Sequence, residues 1–104
     1  MTVACGSASG YRVSMKFTPE STQPSAHCTG AAAATQVPQL PVADQVLGDI
    51  IVRCKDSCPR DYAISALLFE AHKMGADHVS SLACVRDGAD WQCVGRLSSP
   101  EHCK

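Results

Sequence analysis

The sequence contains no C-x-x-C, no G-x-S-x-G, no glycine-rich phosphate loop and no apolar run near the roughly 18 residues that cross a bilayer. Without C-x-x-C, the zinc-ribbon knuckle, the thioredoxin motif and the haem-attachment motif are excluded. Without the nucleophile elbow, and with no paired carboxylates on a recognisable element, hydrolase chemistry has no support. A basic excess is also missing. Nine Lys+Arg stand against ten Asp+Glu, a net charge of -1, which speaks against a nucleic-acid binder. Aromatic residues are scarce at 5%, so any core is thin. Apolar residues reach 45% and charged residues only 18%, so the chain is not disordered throughout, and 104 residues allow one domain.

Cysteine is what the sequence has in excess, with seven residues. Few reduced domains of this size carry so many without a metal, so an oxidised, exported domain is expected. The odd count leaves one thiol over. Met1-Thr2-Val3-Ala4-Cys5-Gly6-Ser7 supplies a reason: a small residue before Cys, then Gly and Ser, resembles the junction of a bacterial lipoprotein signal with its mature protein. On that reading Met1 to Ala4 are a signal remnant, Cys5 carries lipid, and six cysteines remain for three disulfides. The alternative is an ordinary free Cys5 near a flexible terminus.

Residues 1–10 are small and polar and read as a flexible tether. Tyr11, Val13, Met15 and Phe17 alternate with Arg12, Ser14 and Lys16, the pattern of a half-buried strand. Residues 18–45 are rich in Pro, Ser, Thr, Gln and Ala. Pro19, Pro24, Pro38 and Pro41 forbid a long helix or a central strand there, so a long loop is expected. Val46 to Arg53 reads as a more buried strand. Pro59 lies in the first turn of a helix that runs to about Met74, with Gly75 at the left-handed cap. Ile64, Leu67, Leu68, Ala71 and Met74 form its docking face. Two strands follow, about 78–85 and 90–97, joined by a turn at Asp87-Gly88. The expected fold is α+β: a small sheet of about four strands with one helix on it, in the order β-β-α-β-β, over a single domain 11–104. The helical crossover makes strands 46–53 and 78–85 run in the same direction if they share a sheet.

Leu47-Gly48-Asp49-Ile50, then Cys54 and Cys58, then Ala71-His72-Lys73-Met74-Gly75-Ala76-Asp77-His78-Val79, Cys84, and Cys93-Val94-Gly95 form a recognisable series. It resembles the globular domain of RcsF-like lipoproteins, the outer-membrane sensors of the Rcs envelope-stress phosphorelay and their relatives. The resemblance spans residues 46–98. The hairpin is shorter here and lacks one of the family's cysteines. It implies a disulfide-linked α+β domain anchored by a lipidated N-terminal Cys, a Cys84–Cys93 bridge, and a non-catalytic sensor or protein-interaction role in the bacterial periplasm or at the outer membrane. Neither an enzyme nor a cofactor is expected.

Cys84 and Cys93 also face each other across the short turn. Cys54 and Cys58 flank the mouth of the helix and suit a local bridge, and Cys28 and Cys103 would then pin the long loop to the C-terminus. A competing connectivity gives Cys54 or Cys58 a distant partner, one among 15 pairings of six cysteines. The bridges compensate for the thin core.

Three site hypotheses remain. His27-Cys28 and His102-Cys103 would supply two His and two Cys to a metal if Cys28 and Cys103 meet, which makes a small periplasmic metal-binding protein the alternative function. Adjacent side chains on an extended segment point apart, however, so a plain disulfide with two exposed His is preferred. His72 and His78 read as a cap residue and a surface strand residue. Cys54 and Cys58, with three residues between them and Cys58 near a helix N-terminus, raise a redox site against a structural bridge, and the bridge is preferred. Tyr62 and Phe69 are seven apart on the helix, on a side roughly opposite Ile64, Leu68 and Ala71. They are the candidate partner-binding stripe unless residues 18–45 fold over them. Trp91 is expected to anchor the hairpin on the sheet. Asp44, Asp49 and Asp56 read as solvated.

Overall fold

The computed structural model describes residues 11–20 and 33–100. The first alternating segment forms strand β1, Arg12–Pro19, antiparallel to β3, Asp44–Lys55. The register sets Val13, Met15 and Phe17 opposite Cys54, Val52 and Ile50, so the apolar row of β1 continues the buried row of β3. Helix α1, Arg60–Lys73, follows from Pro59 at its N-cap, where the missing proline N–H costs nothing. It stops at Met74, and Gly75 takes φ 99°, the left-handed exit that glycine accepts without strain. Strands β4, His78–Asp87, and β5, Asp90–Pro100, form the hairpin. Gly88 takes φ 65° at the first central position of its two-residue turn.

The sheet order is β1-β3-β5-β4-β2. Both β3 and β4 are antiparallel to β5, so they run in the same direction as expected, with β5 inserted between them. The fifth strand is the departure. Thr35–Gln36, inside the segment expected to be only loop, is a two-residue strand β2 parallel to β4. Thr35 N–H donates to the Asp77 carbonyl and Val37 N–H to the Val79 carbonyl. The nearby Pro38 and Pro41 lack N–H groups and keep the strand short, so no local pattern announces it.

The core lies between the helix and one face of the sheet. Ala63, Leu67 and Ala71 are fully buried against Ile50, Val52, Val79, Cys93 and Leu97. Burial of a side chain such as Leu67 contributes about 1.5–3 kcal/mol. The expected docking face is therefore rotated. Its centre runs through Ala63 as well, while Ile64, Leu68 and Met74 are half-buried at its flank. Two alanines bring the helix close to the sheet, and Gly95 completes the approach. A Cβ at Gly95 would lie 2.5 Å from Val79 Cγ1 and 3.4 Å from Leu67 Cδ2. Gly48, beside an irregularity in the β3–β5 pairing, has a similar reason: its Cβ would meet the Thr18 carbonyl oxygen.

Among the described residues two disulfides are present, Cys54–Cys58 and Cys84–Cys93. The first closes a tight turn in which Asp56 and Ser57 both hold positive φ, 68° and 64°. The second joins directly paired positions of β4 and β5. Cys5, Cys28 and Cys103, with His27 and His102, lie outside the described residues.

Candidate functional site

The helix leaves an open groove on the β1 side, of about 490 Å³. Tyr11 and Val13 form its strand wall, and Tyr62, Ala66, Phe69 and Glu70 its helix wall. These residues meet for two local reasons. The odd-numbered residues of β1 face the helix by strand alternation. Tyr62, Ala66 and Phe69 follow the i, i+4, i+7 spacing along one flank of α1.

The two members of the expected stripe differ. Phe69 is 49% exposed, with the Lys73 ammonium 5.1 Å from its ring centre. Tyr62 is half-buried, and its ring meets that of Tyr11 edge-on at 4.9 Å. The stripe is thus one exposed ring and one ring already packed in the groove floor. Tyr11 and Val13, read from the sequence as strand residues only, complete the surface. The described part of the 18–45 segment does not close over it. Ala34 N–H donates to the Leu68 carbonyl on the other flank of the helix, and β2 lies at the far sheet edge.

The strand wall is also a sheet edge. Among the described residues β1 has only β3 beside it. Glu20 N–H donates to the Leu47 carbonyl at 2.9 Å. In an alternating antiparallel ladder this assigns the even-numbered residues of β1 to hydrogen bonding with β3. The backbone N–H and C=O groups of Val13, Met15 and Phe17 are consequently directed to the open edge.

The other face of the sheet is polar near this edge. Arg12 approaches Asp56 at 3.4 Å, both well exposed, and Lys16 forms no ion pair among the described residues. Further along, Arg53 binds Asp87 at 2.7 Å and Asp90 at 3.3 Å. Arg96 bridges Glu20 at 2.6 Å and Asp49 at 3.1 Å. Hydrogen bonding to Asp87 raises the Arg53 pKa above its usual value, and hydrogen bonding to Glu20 does the same for Arg96, with desolvation opposing both. Such exposed pairs are screened by water and hold geometry more than stability.

A second polar cluster was not legible in the sequence. The Asp44 side chain is 2% exposed, so the expectation of a solvated Asp44 is wrong, whereas Asp49 and Asp56 are more than half exposed. One carboxyl oxygen, Oδ2, accepts from His78 Nδ1 at 2.6 Å and from Ser98 Oγ at 2.8 Å. His78 is accordingly no simple surface residue; it is tied to the start of β3. The register makes the cluster, since His78 pairs with Ser98 and Asp44 with Pro100. Both donors converge on the carboxyl group, and Ser98 donates to Asp44 rather than to the imidazole. The arrangement therefore fastens three strand ends and does not set a base against a nucleophile. Nearby, Ser99 Oγ accepts from Asp77 N–H at 2.8 Å and donates to the Gly75 carbonyl at 2.7 Å.

Among the described residues no three His, Cys, Asp or Glu side chains converge as a metal site would need. Among them, too, no helix is long and apolar enough to cross a membrane. Cys54 and Cys58 are joined to each other, and Cys58 is buried at the base of α1. Trp91 is half-buried and packs on the core from its place opposite Cys54 and Arg86. Comparison of the chain with family models, curated proteins and solved structures gives no match.

Proposed function

We propose that this chain is a non-catalytic interaction module of the bacterial envelope, of the kind implied by its resemblance to the Rcs stress-sensor lipoproteins. Lipid on Cys5 fixes it to a membrane, and the folded domain engages a protein partner in the periplasm or at the outer membrane. The observation that carries this reading is the groove between β1 and α1: an exposed Phe69 and a 39% exposed Val13 flank a strand edge that is open among the described residues. Two disulfides in so small a domain support an oxidising compartment.

The test is photo-crosslinking in cells. The chain is exported to a bacterial periplasm with a benzophenone amino acid at position 69, or at position 85 as the control. Val85 is 58% exposed on β4, remote from the groove. A single envelope protein, identified by mass spectrometry as joined from position 69 and not from 85, is the expected outcome. Identical adducts from both positions, or none, refute the reading. Metabolic labelling with palmitate, lost in Cys5→Ala, tests the anchor in the same cells.

A further inference from the structure

We infer that the occupant of this groove is an extended segment of a partner protein, added as a sixth strand along β1, with apolar residues toward the helix and acidic residues on the opposite face. The inference rests on the interaction reading above and names the partner's chemistry.

The backbone comes first. β1 is eight residues long, shows no irregularity in its pairing with β3, and ends at Pro19, whose missing N–H stops further addition. Its N–H and C=O groups at Val13, Met15 and Phe17, open among the described residues, are the donors and acceptors that an added strand needs. The opposite sheet edge is unsuitable. β2 covers the start of β4, and β4 then carries an irregularity between Ser80 and Ala83 with Ser81 at φ 54°. Such irregularities twist an edge out of pairing geometry.

The side chains come second. An added strand next to β1 places alternate residues over the groove, beside Val13 and within reach of Phe69 across the groove mouth. Those positions call for apolar side chains. Its other residues lie beside Arg12, Ser14 and Lys16. Behind them on β3 stand Lys55, Arg53 and Ile51, the partners of those residues in the register. In that row Arg12 already meets Asp56 and Arg53 meets Asp87 and Asp90, while Lys16 and Lys55 form no ion pair among the described residues, so the added strand is acidic beside Lys16. The same row argues against a second copy of this chain. In the antiparallel self-pairing registers that align the open backbone groups along most of β1, Lys16 of one copy falls directly or diagonally beside Arg12 or Lys16 of the other, and only the register pairing Lys16 with Lys16 sets Glu20 opposite Arg12.

The experiment uses the oxidised full chain and fluorescent peptides of about eight residues, matching the length of β1. One peptide alternates valine with glutamate, a second alternates valine with lysine, and a third is the glutamate peptide N-methylated at alternate residues. Anisotropy titration is expected to show the glutamate peptide binding about two- to thirtyfold more tightly than the lysine peptide, because the residue beside Lys16 attracts in the first and repels in the second. N-methylation is expected to abolish binding, Lys16→Glu to remove the preference, and Phe69→Ser to weaken both peptides. Hydrogen exchange should show the amides of Val13, Met15 and Phe17 becoming protected only with peptide.

Equal affinity for the charged peptides, retained binding after methylation, or no binding overturns strand addition. So does protection of those amides in the free monomer, which assigns the edge to another segment of this chain. A concentration-dependent dimer that protects them assigns the edge to a second copy and overturns strand addition by a partner equally. A partner crosslinked from position 69, together with peptides that do not bind, leaves the groove as the interface and removes only the added strand. Methylation-sensitive peptide binding without any crosslink does the reverse.

Discussion

Replacing Asp44 by alanine removes the one carboxyl group that gathers the ends of β3, β4 and β5. The Asp44 side chain is 2% exposed, and its Oδ2 accepts from Ser98 Oγ at 2.8 Å and from His78 Nδ1 at 2.6 Å. In Asp44→Ala the Ser98 hydroxyl has lost its acceptor inside a fully buried site. A buried donor left without a partner costs about 1–3 kcal/mol. The His78 side chain is 27% exposed, so water partly replaces its lost acceptor and its cost falls near the lower end of that range. The expected loss is about 2–4 kcal/mol. At about 4–8 °C per kcal/mol for a domain of this size, a loss of about 3 kcal/mol lowers Tm by about 12–24 °C. Guanidinium unfolding of the oxidised protein, followed by the fluorescence of Trp91, the single tryptophan, measures it. Asp44→Asn keeps a carbonyl oxygen at the same place and is expected to lose less than half as much. A double-mutant cycle of Asp44→Ala with His78→Ala should show at least about 1 kcal/mol of coupling. A loss below about 1 kcal/mol in Asp44→Ala, or coupling within about 0.3 kcal/mol of zero, would refute the fastening role.

Gly95→Ala forces a methyl group against Val79 Cγ1, at 2.5 Å, and should cost about 1–3 kcal/mol by thermal unfolding. Val79→Ala should be less harmful in that background than in the parent, and simple additivity would show that the crowding is relieved elsewhere. Removing Cys84–Cys93 by paired alanine substitution should cost about 2.6 kcal/mol and removing Cys54–Cys58 about 1.9 kcal/mol, from the entropy of closing separations of 9 and 4 residues. Denaturant titration of each double variant checks this, and a loss well above 4 kcal/mol would mean that the bridge constrains more than its local loop. Phe69→Ser should change stability by less than about 1 kcal/mol, because the ring is half exposed and its cation–π contact with Lys73 lies at the surface. A larger loss in the same titration would make Phe69 a core residue and not a docking one.

The alternation of Tyr11 to Phe17, the apolar run ending at Arg53, the proline and glycine bounding the helix, and Asp87-Gly88 are all local signals. Each acts over a few bonds: proline fixes its own φ, glycine accepts a positive one, and strand alternation follows from the pleat. That is why helix α1, the four longer strands and the hairpin-paired Cys84 and Cys93 were legible. β2 was not, because two residues carry no period and Thr35–Gln36 becomes a strand only by borrowing hydrogen bonds from Asp77 and Val79. The groove between β1 and α1 was half legible. Helical spacing put Tyr62 and Phe69 on one side, but it contained nothing about Tyr11 and Val13, which arrive through the pairing of β1 with β3.

Asp44 shows the same division most plainly. In the chain it follows Pro41, Val42 and Ala43 and has the look of a solvated loop carboxylate. Its burial depends on His78 and Ser98, which are 34 and 54 residues away. The sequence by itself determined the helix, the four longer strands and their order, since these depend on neighbours along the chain. The tertiary structure decided the strand order, the place of β1 at the sheet edge among the described residues and the burial of Asp44, since register over long separations is a property of the whole sheet.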